Sequence, residues 1–442
     1  GSVIADRSKR KSEIKKQIEG IIREKRFEIP VSAQALFDIN TDLTEFPHSV
    51  FCEFDESFLK LPIEVLASEM IEHQNYFPLK KISAKMLSRY FIAVSNIKEN
   101  SKTVYCYQKV LRARLDDGRF FFNEDQKRSL ADRNEDLKGV IYQAELGTSH
   151  AKVLRFTELA EYLAELVLPE EVDDVKTAAK LCKCDLITHM VSEFPSLQGV
   201  MGKEYARREG YPEEVCLAIR EHYLPERAGG TLPTSKAGAI VSLADRMDTI
   251  AGCFAIGLIP TGNADPFALR RHALAIIRIV ENMEWDLSLS EFIEKVLLIL
   301  GNEIDFDKDT VFVGIQDFFR ERYRHMLLRS GYDSDPIVAV ISVTFDRLCG
   351  LRSRIDSLKK FASESDEFQA LAGTFKRVTN ILKKQKQSYT VSSELFADDC
   401  ESALWESYQA VKDDVYAFME KRRFYDALNL LVRLRKPAVS YT

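Results

Sequence analysis

The chain has 442 residues, 45% hydrophobic and 29% charged, which is enough apolar content for several packed cores and too much for a disordered chain. No apolar run approaches the roughly 18 to 20 residues of a membrane span, and the opening GSVIADRSKRKSEIKKQ lacks the apolar centre of a signal peptide, so a cytoplasmic protein without membrane contact is expected. The formal net charge of -6 excludes a chain that grips nucleic acid with its whole surface, while leaving room for a local basic patch.

From Ser8 to about Phe27, Ile14, Ile18, Ile21 and Ile22 recur at helical spacing among lysines and arginines, which predicts an amphipathic helix. HSVFCEFDESFLKLP and RYFIAVSNI then carry the aromatic and β-branched runs of strands, separated by a helical LPIEVLASEMIEHQNYF. Beyond Lys102 nearly every segment reads as helix, with DVKTAAKLCKCDLITHMVSEF and SKAGAIVSLADRMDTIAGCFAIG among them. Glycines and prolines gather at 195–212, 225–238 and 257–266, which predicts loops there, and QKQSYTVSSELFADD is the best linker. The closing segment carries two apolar stripes, Leu404 to Phe418 and Phe424 to Leu434, and predicts an antiparallel helix pair turning at Lys421 to Arg423. The eight cysteines lack zinc-type pairing and read as reduced, mostly buried thiols. Gly1-Ser2 reads as a cloning remnant.

Four motifs carry chemical content. Cys184, Asp185 and His189, with His222 and Asp245 further on, follow the outline of an HD-type phosphohydrolase site, in which imidazoles and carboxylates from neighbouring helices hold a divalent metal. Cys184 stands where the pair's histidine belongs and His150 is the sole upstream candidate, so a degenerate scaffold with no metal is expected. In DPFALRRHALAIIRIV, Asp265 is a plausible N-cap and Pro266 a first helical residue; Arg270 and Arg271 oppose the helix dipole and call for an anionic partner, either RNA phosphate or an internal Asp245 or Asp248. Gly199 and Gly202 permit a tight turn or close packing, with phosphate cradling the weaker alternative. Arg112, Arg114 and Arg119 lie beside three consecutive phenylalanines, and Lys383, Lys384, Arg422, Arg423 and Arg435 add late positive charge; these, with Arg270 and Arg271, are the candidate RNA-binding residues. There is no P-loop and no GxSxG elbow, so no catalytic residue is assigned.

Several strings in order, LPIEVLASEMIEHQNYFPL, VLRARLDDGRFFFNED, LCKCDLITHMVSEFPSLQGVMGKEYA, EHYLPERAGGTLPTS, SLADRMDTIAGCFAIGLIPTGNADPFALRR and YDALNLLVRLRKPA, resemble the bacterial glycyl-tRNA synthetase β-subunit family. The resemblance implies a mainly α, multidomain fragment lacking N- and C-terminal parts: helical lead-in 1–45, mixed α/β domain 46–125, degenerate HD-like helical domain 126–270, helical body 271–365 and a truncated anticodon-binding-like domain 366–442. It also implies a tRNA-binding role beside a catalytic α subunit, in a heterotetramer or an α-β fusion, which uses ATP and Mg to glycylate tRNA-Gly; no cofactor is implied in this chain. The rivals are a metal-dependent HD-type phosphohydrolase and a purely architectural subunit.

Overall fold

The computed structural model describes residues 3–84, 86–262, 264–365, 367–382 and 391–441. They form two units, one of residues 1–226 and 230–245, the other of residues 227–229 and 246–442. The division falls inside the stretch expected to form the HD-like domain and cuts one long helix.

In the first unit, helix α1 (Arg7–Lys25) starts because the Asp6 carboxylate accepts the Ser8 and Lys9 N–H groups at 2.8 and 3.1 Å, and it ends on Arg26 in the left-handed region. After β1 (Phe27–Glu28), α2 (Leu36–Leu43) and β2 (His48–Glu53) follow, then α3 (Ile63–Ser68), which runs into a single π-turn, Glu69–His73. Strands β3 (Phe77–Pro78), β4 (Lys80–Lys81) and β5 (Tyr90–Ser95) complete the mixed part. The sheet has the order β2-β5-β3, antiparallel throughout, with His48 opposite Ser95 and Glu53 opposite Tyr90. Ile14 and Ile18 of α1 are fully buried with Leu36, Phe37, Phe77, Leu79 and Ile92, so the helical lead-in and the strands share one core. Arg7 and Lys11 fix α1 to α2 through Asp38 and Asp42.

The rest of this unit is helical apart from one hairpin. α4 (Ser101–Asp125) is capped by Asn100; α5 (Leu130–Asn134) leads to hairpin β6 (Ile141–Gln143) and β7 (Gly147–Thr148). α6 (Ser149–Val167) pairs with α7 (Val172–Leu181), which packs on α10 (Glu213–Glu221), itself paired with α9 (Val200–Arg208). Between them DVKTAAKLCKCDLITHMVSEF is not one helix: it breaks into α7, a 3-10 turn at Cys184–Ile187 and the short α8 (His189–Glu193). Thr188 accepts the Val191 N–H and restarts the helix. The glycine-bearing 195–212 stretch, expected as loop, contains α9; its glycines serve packing rather than chain breaking. α11 (Lys236–Ala255) follows.

The second unit is all helix: α12 (Leu269–Met283), α13 (Leu289–Leu300), α14 (Lys308–Arg329), α15 (Ser334–Ile341), α16 (Leu351–Glu364), α17 (Phe368–Leu382), α18 (Asp399–Glu420), α19 (Phe424–Leu431) and α20 (Arg435–Tyr441). α18 begins with a capping box between Asp398 and Glu401 and turns at Lys421–Arg423 into α19, burying Val411, Phe424 and Ala427. α12 starts three residues later than its sequence suggests. Asp265 does not cap from the adjacent position; its carboxylate reaches forward to the Leu269 and Arg270 N–H groups at 2.8 and 3.1 Å, while Ala268 takes a left-handed φ of 55°. Cys52, Cys182, Cys184, Cys216 and Cys253 are buried and all eight cysteines are free thiols. No described helix is long and apolar enough to cross a membrane.

Burial predicts the mutational response of α1. Ile18→Ala removes a fully buried side chain from the shared core and costs about 2–5 kcal/mol, whereas Ile21→Ala, half-buried, costs clearly less. Urea denaturation of the two variants checks the order; equal losses would contradict this packing.

Candidate functional site

The densest buried charge in the first unit is built around Asp245 on α11. Lys183, just after α7, donates to Asp245 Oδ2 at 2.9 Å, and Lys152 on α6 meets Oδ1 at 2.9 Å while also donating to the Asp245 carbonyl at 3.0 Å. The Lys183 ammonium lies 2.9 Å from His222 Nε2. Facing a cation, Nε2 accepts, so the imidazole proton sits on Nδ1 and is donated to the Ile219 carbonyl at 2.7 Å. Tyr223 and Tyr142 add ring faces 4.2 and 4.8 Å from the Lys183 and Lys152 nitrogens. Burial alone would raise the Asp245 carboxyl, but Lys152 and Lys183 together outweigh it and hold the group well below the usual carboxylate range.

This arrangement separates the five HD-type positions. His222 and Asp245 meet around Lys183, whereas Asp185 faces elsewhere: its buried Oδ2 accepts the Gly199 and Gly202 N–H groups at 2.5 and 3.0 Å. Both glycines are required. A Cβ on Gly199, whose φ is 75°, would meet the Tyr223 ring at 2.7 Å, and one on Gly202 would meet Ile219 at 2.8 Å. The turn therefore cradles an anion, and that anion is the chain's own carboxylate. Burial pushes Asp185 up to about 6, against the pull of the two N–H groups. Cys184 is buried and its thiol is pushed up to about 12 by burial. The His189 ring lies against Phe121 at 6.3 Å, and its backbone N–H donates to Asp125 Oδ1 at 2.9 Å. Asp125 also takes the Met190 N–H and the Tyr205 hydroxyl at 2.9 Å and sits 3.5 Å from Arg133. His150 lies 3.7 Å from Glu135. Among the described residues no three His, Cys, Asp or Glu side chains are grouped to hold a metal ion.

Lys152, Lys183 and Asp125 were missed by sequence reasoning. Lys183 sits next to the motif residue Cys184, but the partners that define it lie 39 and 62 residues away, and no spacing rule reaches them.

The cationic candidates differ in what they hold. On α4, Arg119 pairs with Asp116 and lies 4.6 Å over the Phe58 ring, Arg112 reaches Asp116 at 3.8 Å, and both Arg112 and Arg114 are exposed. The three phenylalanines diverge: Phe122 is buried and stacks on Tyr205, Phe121 meets His189, and Phe120 is 59% exposed. Arg271 is exposed and Arg270 partly so, and neither forms an ion pair within the second unit among the described residues. In the second unit, Arg422 donates to Cys349 Sγ at 2.9 Å, Arg423 pairs with Asp426 at 2.7 Å and stacks on Phe418, and Arg435 pairs with Glu367. Lys376, Arg377, Lys421, Arg433 and Lys436 remain exposed in that region. Lys383 and Lys384 lie outside the described residues.

A family model described as glycyl-tRNA synthetase beta subunit matches residues 1–342. Relatives named glycine–tRNA ligase beta subunit include those of Citrifermentans bemidjiense, 43% identical over 99% of this chain and 63% of the relative, and Syntrophotalea carbinolica, 45% identical over 91% and 58%. That of Geotalea daltonii is 42% identical over 98% and 63%. The chain thus spans less than two thirds of the length of these relatives.

Two outcomes follow from the buried charges. Asp245→Asn breaks two largely buried ion pairs at once and costs about 3–5 kcal/mol, while the Lys183→Met single variant and the Asp245→Asn/Lys183→Met double variant show strong non-additivity in a denaturation cycle. Because the folded Asp245 carboxyl is depressed, its stabilisation is present above its unfolded pKa of about 4 and is lost as pH falls through the still lower folded value, so the wild type, unlike Asp245→Asn, loses this contribution only in strong acid. Separately, Gly202→Ala costs about 1–3 kcal/mol by crowding Ile219, measured by thermal unfolding.

Proposed function

The chain belongs to the glycyl-tRNA synthetase beta-subunit family, and from that premise we propose that it is the tRNA-handling portion of a glycine–tRNA ligase, positioning tRNA-Gly for ATP-dependent glycylation by a catalytic α subunit. On this reading the complex is a heterotetramer in the cytoplasm, the α subunit supplies the ATP and Mg chemistry, and this chain supplies no catalytic residue.

The observation that carries the RNA-handling part is the exposed face of α4. Lys102, Tyr105, Lys109, Arg112 and Arg119 recur at intervals of three, four and seven residues on a 25-residue helix, with Phe120 next to Arg119, and Tyr105 and Phe120 are 62% and 59% exposed. Cations at this spacing suit successive phosphates, and exposed aromatic rings offer stacking surface for unpaired bases. Arg114, which forms no ion pair among the described residues, is better placed for RNA than Arg423 and Arg435, whose charge is already met by Asp426 and Glu367, while Arg112 shares Asp116 with Arg119. The helices from α16 onward, with exposed Lys376, Arg377, Arg433 and Lys436, form the anticodon-binding-like part of the proposal. The helices around Asp245 form its HD-like part, with Lys183 rather than a metal at their centre. A phosphohydrolase is correspondingly not favoured.

Binding of the chain to tRNA-Gly and to a non-cognate tRNA across a salt series tests the reading. Cognate preference with a falling affinity at higher salt is expected, and Arg112→Glu/Arg114→Glu lowers the salt slope by about one per lost phosphate contact, whereas Arg423→Glu changes it little. An unchanged slope in the α4 variant would remove α4 from the RNA surface. No tRNA binding at low salt, alone or with the α subunit present, would leave the architectural role standing instead.

A further inference from the structure

Glu69 opens the π-turn that follows α3 and is fully buried, yet neither of its carboxylate oxygens has a hydrogen-bond partner among the described residues. Its setting is apolar. Val65, Leu66 and Met70 are buried on its own segment, and α4 approaches that segment at Gly118, where a Cβ would stand 3.6 Å from Val65. The charged groups that face it are Arg114 and Asp117 from α4 and Glu193 from α8. Glu72, one turn on, is already held by the Ser68 and Ser196 hydroxyls at 3.2 and 2.7 Å, and β3 brings only Phe77 and Pro78. One exposed cation against two anions does not compensate a buried charge.

An ionised carboxylate without partners is expensive in such a place, whereas the neutral acid is tolerated. π-turns are themselves rare and concentrate where a helix is adapted to a task. We propose that Glu69 is a proton-linked latch: neutral, it lets the Ile63–His73 segment seat on α4; ionised, it drives that segment out of its seat. The direction of its titration agrees, since burial pushes the carboxyl up to about 7. With a folded pKa above the unfolded value of about 4.3, the seated state binds more protons, so its stability falls as pH rises from about 4 through 7 and levels off above. The latch is independent of the RNA-handling proposal.

The test compares the full chain with Glu69→Gln, an uncharged isostere, by urea unfolding and hydrogen exchange between pH 5.5 and 8.5. The folding constant of the wild type relative to Glu69→Gln is expected to fall by roughly tenfold or more over that range, with exchange at residues 63–73, corrected for intrinsic rates, rising only in the wild type. Parallel pH profiles for the two proteins would overturn the proposal. If Glu69→Gln does not fold, the carboxyl titration of Glu69 in the wild type, followed by carbon NMR, decides: a midpoint near 7 sustains the latch and an ordinary glutamate midpoint ends it.

Discussion

A carboxylate with little access to water needs counter-charge inside the protein, and Asp245 finds two. Its oxygens are divided between Lys152 and Lys183, and the second lysine is shared with His222. One carboxylate thereby ties α6, the end of α7, the end of α10 and the first half of α11, and each tie is charge-assisted. Removing the shared carboxylate breaks both ion pairs at once, so the placement of these elements is interdependent.

The same geometry explains why an HD-type outline does not amount to a hydrolytic centre. A metal needs several lone pairs converging on one point. Here His222 Nε2 and Asp245 Oδ2 do converge, but on an ammonium carried by the chain, while Asp185 is committed to the Gly199–Gly202 turn and the His189 ring lies against Phe121. In this chain the joint is held by its own lysine.

Much of this was legible in the sequence. The isoleucine spacing marked α1, the aromatic and β-branched runs marked β2 and β5, and the two late apolar stripes marked α18 and α19 with their turn. What was not legible depends on partners distant in the chain. The start of α12 was misplaced because Asp265 caps from four and five residues away, past a left-handed Ala268. α9 was hidden because glycine signals a loop unless one knows that a tyrosine ring and an isoleucine press on it. Local charge counting marked Arg423 and Arg435 as available, although nearby carboxylates in the fold engage both.

The turn at Gly199 to Gly202 has a consequence of its own. Paired backbone N–H groups at a helix start form a ready receptor for phosphate or sulfate, and free receptors of this kind respond to the ions around them. This one is filled from within by Asp185, with Tyr223 pressed over it. Because its own carboxylate already takes both N–H groups, the turn offers no vacant pair of donors to a free phosphate or sulfate, and α9 begins on an anion that the chain carries with it.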